Sequence, residues 1–85
     1  MVYYNKLIDN IQVTILEERL HSNQIRRIEV WFEDEDNITY TSIENVLEKP
    51  HKVVQALKDR GFKLNETFLE KLLDFIHNLE LIVVA

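Results

Sequence analysis

The hydrophobic pattern changes its period at Thr41, and this change constrains the fold more than any other feature of the chain. Up to Thr41, apolar and polar residues alternate in three short runs, as in strands that bury one face. After Thr41, apolar residues recur every three or four positions, as along one face of a helix. The sequence therefore predicts a sheet in its first half and helices in its second half.

The three alternating runs predict three strands in an antiparallel meander. Their inward positions are expected to be Ile11, Val13, Ile15, Ile28, Val30, Phe32, Ile38 and Tyr40. Their outward positions are expected to be Gln12, Thr14, Leu16, Arg27, Glu29, Trp31, Thr39 and Thr41. The connecting segments, about Glu18 to Gln24 and Asp34 to Asn37, contain Asn, which tolerates the left-handed backbone of tight turns. Residues 1–10 predict either a short helix or a strand that leads into the sheet, since their apolar residues recur at helical spacing.

Capping signals indicate where the next helices begin and end. Thr41-Ser42-Ile43-Glu44 has the spacing of a capping box, with Thr41 as the expected N-cap. The apolar stripe then crosses Pro50, which predicts either a kinked helix or a short helix followed by a new one that begins at Pro50. Gly61 stands where a left-handed C-terminal cap ends a helix.

A last helix is predicted from about Glu66 to Asn78, with Asn65 as its N-cap. Its inward residues are expected to be Phe68, Leu69, Leu72, Leu73, Ile76 and Leu79. The uncharged, β-branched segment Leu81–Ala85 is expected to form an extra C-terminal strand or a homodimer contact. Together these elements predict an α+β two-layer sandwich, with a three-stranded antiparallel meander and two to three helices packed on one face.

Length and composition limit the class of protein. The 85 residues predict a single globular domain, 1–85, since 46% are hydrophobic and the chain contains only one Gly and one Pro. The single glycine excludes a Gly-rich phosphate loop. The lack of cysteine excludes thiolate chemistry and favours a reducing cytoplasm. We expect neither a secretory leader nor a membrane span, because no apolar run approaches the ~20 residues that a bilayer requires.

Negative charge is concentrated in the first half of the chain. Through Lys49, ten acidic residues outnumber five basic ones, and from Pro50 onward five of each cancel, which accounts for the net charge of −5. Four consecutive acidic residues, Glu33 to Asp36, would form an anionic knob on a predicted hairpin turn. This acidic turn disfavours direct binding to nucleic acid or to an anionic membrane and favours a basic protein partner. The alternative is that the charge only maintains solubility.

Trp31 is the only tryptophan, and the alternation predicts that it points away from the core beside the acidic turn. Exposed Trp with a neighbouring Arg is typical of binding hot spots. The predicted protein-binding surface is Arg27, Glu29, Trp31, Glu33, Asp34, Glu35 and Asp36. The alternative is that the N-terminal segment or the C-terminal strand folds over this face and makes Trp31 part of a second small core.

Catalytic and metal chemistry have little support in the sequence. The chain has three histidines, and none of them belongs to a recognisable catalytic arrangement: His21, His51 and His77. We therefore expect neither an enzyme nor a cofactor. Glu70, Asp74 and His77 share one helical face and are the only candidate metal ligands, but a solvated face is the simpler interpretation.

The predicted last helix also exposes three carboxylates, Glu66, Glu70 and Asp74, one turn apart. They oppose a helix-turn-helix interpretation, because like charges would face the phosphates of DNA. We regard them as a secondary acidic face that, together with the acidic turn, would imitate a phosphate array in a groove of another protein.

In size, charge and predicted layout the chain resembles phage-encoded inhibitors, such as anti-CRISPR proteins that imitate DNA, and bacterial toxin-immunity proteins. The resemblance rests on layout and transfers no residues. It implies a cytoplasmic, non-enzymatic protein of phage or bacterial type that blocks a basic cleft of a partner, such as one that binds nucleic acid. The alternatives are a homodimeric structural subunit joined through its C-terminal strand and a helix-turn-helix-like DNA-binding protein.

Overall fold

A computed structural model describes residues 2–19 and 25–79, except for the side chains of residues 25 and 26. This part of the chain contains β1 (Val2–Ile8), β2 (Ile11–Arg19), β3 (Ile25–Glu33), β4 (Ile38–Ser42), α1 (Ile43–Glu48), α2 (Pro50–Asp59) and α3 (Phe68–Asn78). The strands form one antiparallel sheet in chain order. The predicted α+β class and meander are confirmed, but the described sheet has four strands instead of three. The predicted C-terminal strand lies outside the described residues.

The additional strand is β1, which pairs with β2 from Val2↔Glu17 to Ile8↔Ile11. Asp9 and Asn10 connect the two strands with φ values of 50° and 69°. A two-residue type I′ hairpin turn requires positive φ at both positions, and Asp and Asn adopt it more readily than most residues. The helical option for residues 1–10 is therefore wrong, because this tight turn folds the segment back along β2.

One hydrophobic core joins the sheet and the helices. The six buried strand residues that the alternation of β2 and β3 predicted are Ile11, Val13, Ile15, Ile28, Val30 and Phe32. The buried helical residues in the same cluster are Ile43, Val46, Val53, Leu57, Phe68, Leu72, Phe75 and Ile76. Phe32 contacts Phe68 with ring centroids 6.3 Å apart. The side of the sheet that carries this core is the inner face, and the opposite side is the outer face.

The strand β4 faces the other way from the prediction. Ile38 and Tyr40 are each 57% exposed, whereas Thr39 and Thr41 pair with buried residues of β3. The reason is the hairpin register, because Ile38 pairs with Glu33, and directly opposite residues share a face of the sheet. The prediction that placed Ile38 and Tyr40 inward and the two threonines outward is wrong, since it followed hydrophobicity and ignored the length of the turn.

The helices begin close to their predicted positions. Ser42, and not Thr41, is the N-cap of α1, and its Oγ accepts a hydrogen bond from the amide of Asn45 at 3.2 Å. Thr41 cannot take this position because it still belongs to β4. Pro50 is the first residue of α2. Of the two options at Pro50, a new helix is therefore correct and a kink is wrong.

The predicted cap at Gly61 is present. Gly61 has a φ of 101°, and the amide of Phe62 donates to the carbonyl of Leu57 at 3.0 Å, which is the bond of a left-handed helix end. The helix α3 begins two residues later than predicted, because the Oδ1 of Asn65 accepts from the amide of Thr67 at 3.0 Å in a preceding turn. Its predicted end at Asn78 is confirmed.

Candidate functional site

The outer face consists of three rows of side chains that cross all four described strands. From the hairpin turns onward, the rows are Leu7-Gln12-Glu33-Ile38, Asn5-Thr14-Trp31-Tyr40 and Tyr3-Leu16-Glu29-Ser42. Arg27 lies beyond the last row, opposite Glu18. Arg27, Glu29, Trp31 and Glu33 thus share this face, as the alternation of β3 predicted.

Large apolar side chains are exposed on this face. In residues 2–19 and 25–79, the exposed ones are Tyr3 (63%), Leu7 (61%), Ile38 (57%) and Tyr40 (57%). All four belong to the outer face. Single exposed apolar residues are ordinary, whereas contiguous exposed apolar patches mark interaction sites. Tyr3 and Leu7 lie on β1, and Ile38 and Tyr40 are neighbours on β4.

An aromatic stack between β3 and β4 lies in the middle row of the outer face. Trp31 and Tyr40 are direct cross-strand partners, and their rings stack with centroids 4.6 Å apart and an interplanar angle of 20°. Trp31 is half-buried, and its Nε1 has no hydrogen-bond partner within the described part of the chain. Tyr40 is therefore the more accessible of the two rings, and sequence reasoning missed it because it placed β4 in the opposite orientation.

Carboxylates surround the aromatic stack. Glu29 and Glu33 lie two residues to either side of Trp31 on the same face of β3. The guanidinium of Arg27, which the sequence placed beside Trp31, contacts Glu18 at 3.1 Å. On the outer face the charged neighbours of Trp31 along β3 are thus carboxylates, and Arg27, the cation of that strand on this face, is already paired.

The acidic turn divides into a structural residue and exposed charges. Asp34 Oδ1 accepts hydrogen bonds from the amides of Asp36 at 2.9 Å and Asn37 at 2.7 Å. Its own amide donates to the carbonyl of Asn37 at 2.9 Å. Asp34 therefore shapes the turn, whereas Glu33, Glu35 and Asp36 are exposed and present the negative charge.

The two hairpin turns lie at the same end of the sheet and line one depression of about 580 Å³. Asp9 adds a carboxylate to this depression, and Lys63 of the segment between α2 and α3 also lines it. The Oδ1 of Asp9 is held by Lys71 Nζ at 2.8 Å. Sequence reasoning missed Asp9 because the type I′ signal of Asp9-Asn10 was not assigned to a hairpin.

The secondary acidic face lies on another side of the molecule. Glu66, Glu70 and Asp74 are exposed, while the opposite side of α3 contributes Phe68 and other residues to the core. The carboxylates of α3 thus face away from the core, and their combination with the acidic turn stays a prediction. Residues 60–67 connect α2 to α3, a longer segment than the three- or four-residue turn of helix-turn-helix motifs.

Glu70, Asp74 and His77 line one depression beside α3, but the two described histidines are not brought together. His51 and His77 are exposed on different helices, and His21 lies outside the described residues. Within the described ranges, no group of three or more His, Cys, Asp or Glu side chains could hold a metal ion. The set Glu70, Asp74 and His77 therefore does not form a metal site in this structure. No helix of these ranges is long and apolar enough to cross a lipid bilayer.

Comparisons with protein-family models, with curated protein sequences and with solved structures found no significant match.

Proposed function

We propose that this chain is a non-enzymatic protein-binding inhibitor or regulator that covers a basic cleft of a partner protein with its outer face and acidic turn. The observation that carries the proposal is the confinement of the exposed large apolar side chains to the outer face. We take the helices to cover the inner face as one layer, so that the outer face is the open side of a two-layer sandwich. Such a side supplies contact area without any rearrangement of the core.

The aromatic stack and its flanking carboxylates suit a cationic side chain of the partner. Ring faces attract Lys and Arg, and Glu29 and Glu33 lie on the same face as Trp31 and Tyr40. Arginine is favoured, because its planar guanidinium can stack on Tyr40 and donate hydrogen bonds to a carboxylate. The acidic turn would raise the rate of encounter with a basic surface, and the aromatic contact would slow dissociation.

A second copy of the chain is a poorer match for this face than a basic protein. The charged residues of the described outer side are Glu18, Arg27, Glu29 and Glu33. Face-to-face pairing of two copies would bring carboxylates together, and like charges at an interface are unfavourable. The same argument opposes direct contact with nucleic acid, whose phosphates are also negative. The predicted homodimer through the C-terminal strand concerns residues outside the described part of the chain and stays a prediction.

Affinity capture from a bacterial lysate tests the proposal with matched variants. The baits are the wild-type chain, the double variant Ile38→Ser, Tyr40→Ser, and the control His51→Ser on α2, each at low and high salt. We expect the wild type and the control to retain the same basic protein at low salt, less of it at high salt, and the double variant to lose it. Equal retention by the double variant would contradict the proposal, as would retention of acidic proteins only.

A further inference from the structure

A groove between β4 and α2 has the opposite charge to the outer face. It encloses about 330 Å³ and is lined by Lys49, Lys52 and Arg60, with no acidic residue in its lining. The whole chain carries a net charge of −5, so this concentration of cations is not a consequence of overall composition. The groove therefore differs in chemistry from the surface of the proposed function.

The groove follows from the register of β4. Because the large side chains of this strand point outward, it presents only Thr39 and Thr41 toward the helices. These small residues do not fill the space beside α2, whose buried Val53 and Leu57 form an apolar floor. Thr39 and Thr41 form the opposite wall, which is partly polar and partly apolar because each threonine carries a hydroxyl and a methyl group.

The cations of the groove are available to a ligand. Lys49, Lys52 and Arg60 are exposed, and none of them takes part in an ion pair within residues 2–19 and 25–79. Lys52, Ala56 and Arg60 follow one another at four-residue spacing, so they form one stripe along α2. An anionic ligand would therefore meet positive charge along much of the length of the helix.

The outer edge of β4 is open in the described sheet, because β4 is its last strand. The amide of Asp34 donates to the carbonyl of Asn37, and bonded and non-bonded pairs alternate along an antiparallel ladder. The backbone groups of Ile38 and Tyr40 consequently point away from β3. An added strand could pair with these groups, and Tyr40 also lines the groove, so the edge and the groove adjoin.

We infer that β4 and the adjoining groove bind an extended acidic peptide segment of a partner protein as an added strand. In such a strand, successive side chains point to opposite sides. Those on the helix side would meet Lys49, Lys52 and Arg60, and those on the other side would lie beside Ile38 and Tyr40. The ligand should therefore alternate carboxylate and apolar residues. This inference shares Ile38 and Tyr40 with the proposed function, but it depends on the backbone edge of β4 and on the groove cations, so variants of Lys52 and Arg60 test it separately.

The direct test is binding of a fluorescent hexapeptide of alternating Glu and Val to the full chain, measured by anisotropy at low and high salt. We expect salt-sensitive binding, with amide chemical-shift changes concentrated in β4 and α2. A hexapeptide of the same composition, with its three Glu and three Val in separate blocks, should bind at least tenfold more weakly. Equal affinity of the two peptides, or no binding at millimolar concentration, would overturn the inference.

Variants of the protein and the peptide separate strand addition from general attraction of charge. The double variant Lys52→Glu, Arg60→Glu should weaken binding at least tenfold, whereas Lys58→Glu, on the same helix but outside the groove lining, should change it less than twofold. Two peptides with N-methylated alternate amides provide a control that does not depend on folding of a variant. Methylation in one register should abolish binding and in the other should preserve it. Equal effects of the two registers, or of Lys58→Glu and the double variant, would refute the added strand.

Discussion

The stack between Trp31 and Tyr40 should make a measurable contribution to folding stability. The two rings are 4.6 Å apart at an interplanar angle of 20°, and such aromatic pairs contribute about 0.5–1.5 kcal/mol beyond their buried area. In a double-mutant cycle of Trp31→Ala and Tyr40→Ala, we expect a coupling free energy of about 1 kcal/mol.

The loss of stability expected for Tyr40→Ala alone can be worked out from the exposed fraction of the Tyr40 side chain. Tyr40 is 57% exposed, so it buries roughly 80 Å² of an aromatic side chain's surface. At about 25 cal/mol per Å² this burial stabilises the fold by about 2 kcal/mol, and the stack adds about 1 kcal/mol. Tyr40→Ala should therefore lower the free energy of unfolding by at most about 3 kcal/mol, because an extended unfolded chain overstates the buried area.

Urea unfolding followed by far-ultraviolet circular dichroism measures this cycle. Fluorescence is unsuitable, since Trp31 is the only tryptophan and one variant removes it. Leu7→Ala combined with Trp31→Ala is the matched control, because Leu7 lies on the same face but two strands away. This pair should be additive to within about 0.5 kcal/mol. A Trp31–Tyr40 coupling below about 0.3 kcal/mol, or one no larger than the control, would refute the stack.

Three further predictions concern other parts of the fold, and urea unfolding measures each of them. Gly61→Ala should lower the free energy of unfolding by about 1–2 kcal/mol, because a side chain strains the backbone at the φ of 101° that Gly61 adopts. Gly61→Asn should lower it less, since Asn tolerates positive φ better than Ala. Equal losses for the two variants would contradict backbone strain as the cause. Asp34→Ala should cost about 1–2 kcal/mol by removing two bonds to backbone amides, whereas an effect of Glu35→Gln above about 0.5 kcal/mol would contradict its exposure. Arg19→Met should cost about 2 kcal/mol, because the Glu17 carboxylate is 1% exposed and its Oε2 lies 2.7 Å from Nη2 of the 39% exposed Arg19. Replacement of both residues by Met should restore most of the loss, and no restoration would show that the buried carboxylate does not depend on Arg19.

Local sequence patterns correctly predicted those elements that a single local property determines, such as alternating hydrophobicity or the backbone preference of one residue. In β2 and β3, alternation alone determines the buried face, and Ile15 and Val30 lie inside as predicted. The cap at Gly61 was predictable because few other residues adopt a positive φ without strain. The start of α2 at Pro50 follows from the fixed φ of proline and its missing amide hydrogen.

Pairing between strands decided the features that local patterns could not. The register of β4 depends on the turn that pairs Glu33 with Ile38, and hydrophobicity favoured the wrong face. The strand β1 has helical spacing in its sequence, and only its pairing with β2 makes it a strand. Glu17 occupies an inward position of β2, and nothing in the alternation indicated that a carboxylate there would be buried beside Arg19.

The candidate site was likewise predictable only in part. Alternation placed Trp31 and its flanking carboxylates on the outer face, because β3 has a simple period. Tyr40 could not be added to that set without the correct register of β4. The basic groove was hidden for the same reason, since it exists only where the threonines of β4 face α2.

Photo-crosslinking from the outer face would show whether a basic protein covers it. A benzophenone amino acid at Ile38, which is 57% exposed on that face, would capture whatever covers it in a bacterial lysate, and the same amino acid at Lys58 on α2 serves as the control. We predict a crosslink from position 38 to a basic protein, weakened by high salt, and no crosslink to that protein from position 58. Crosslinks from position 38 only to a second copy of the chain, or equal yields from both positions, would contradict binding of a basic protein at the outer face.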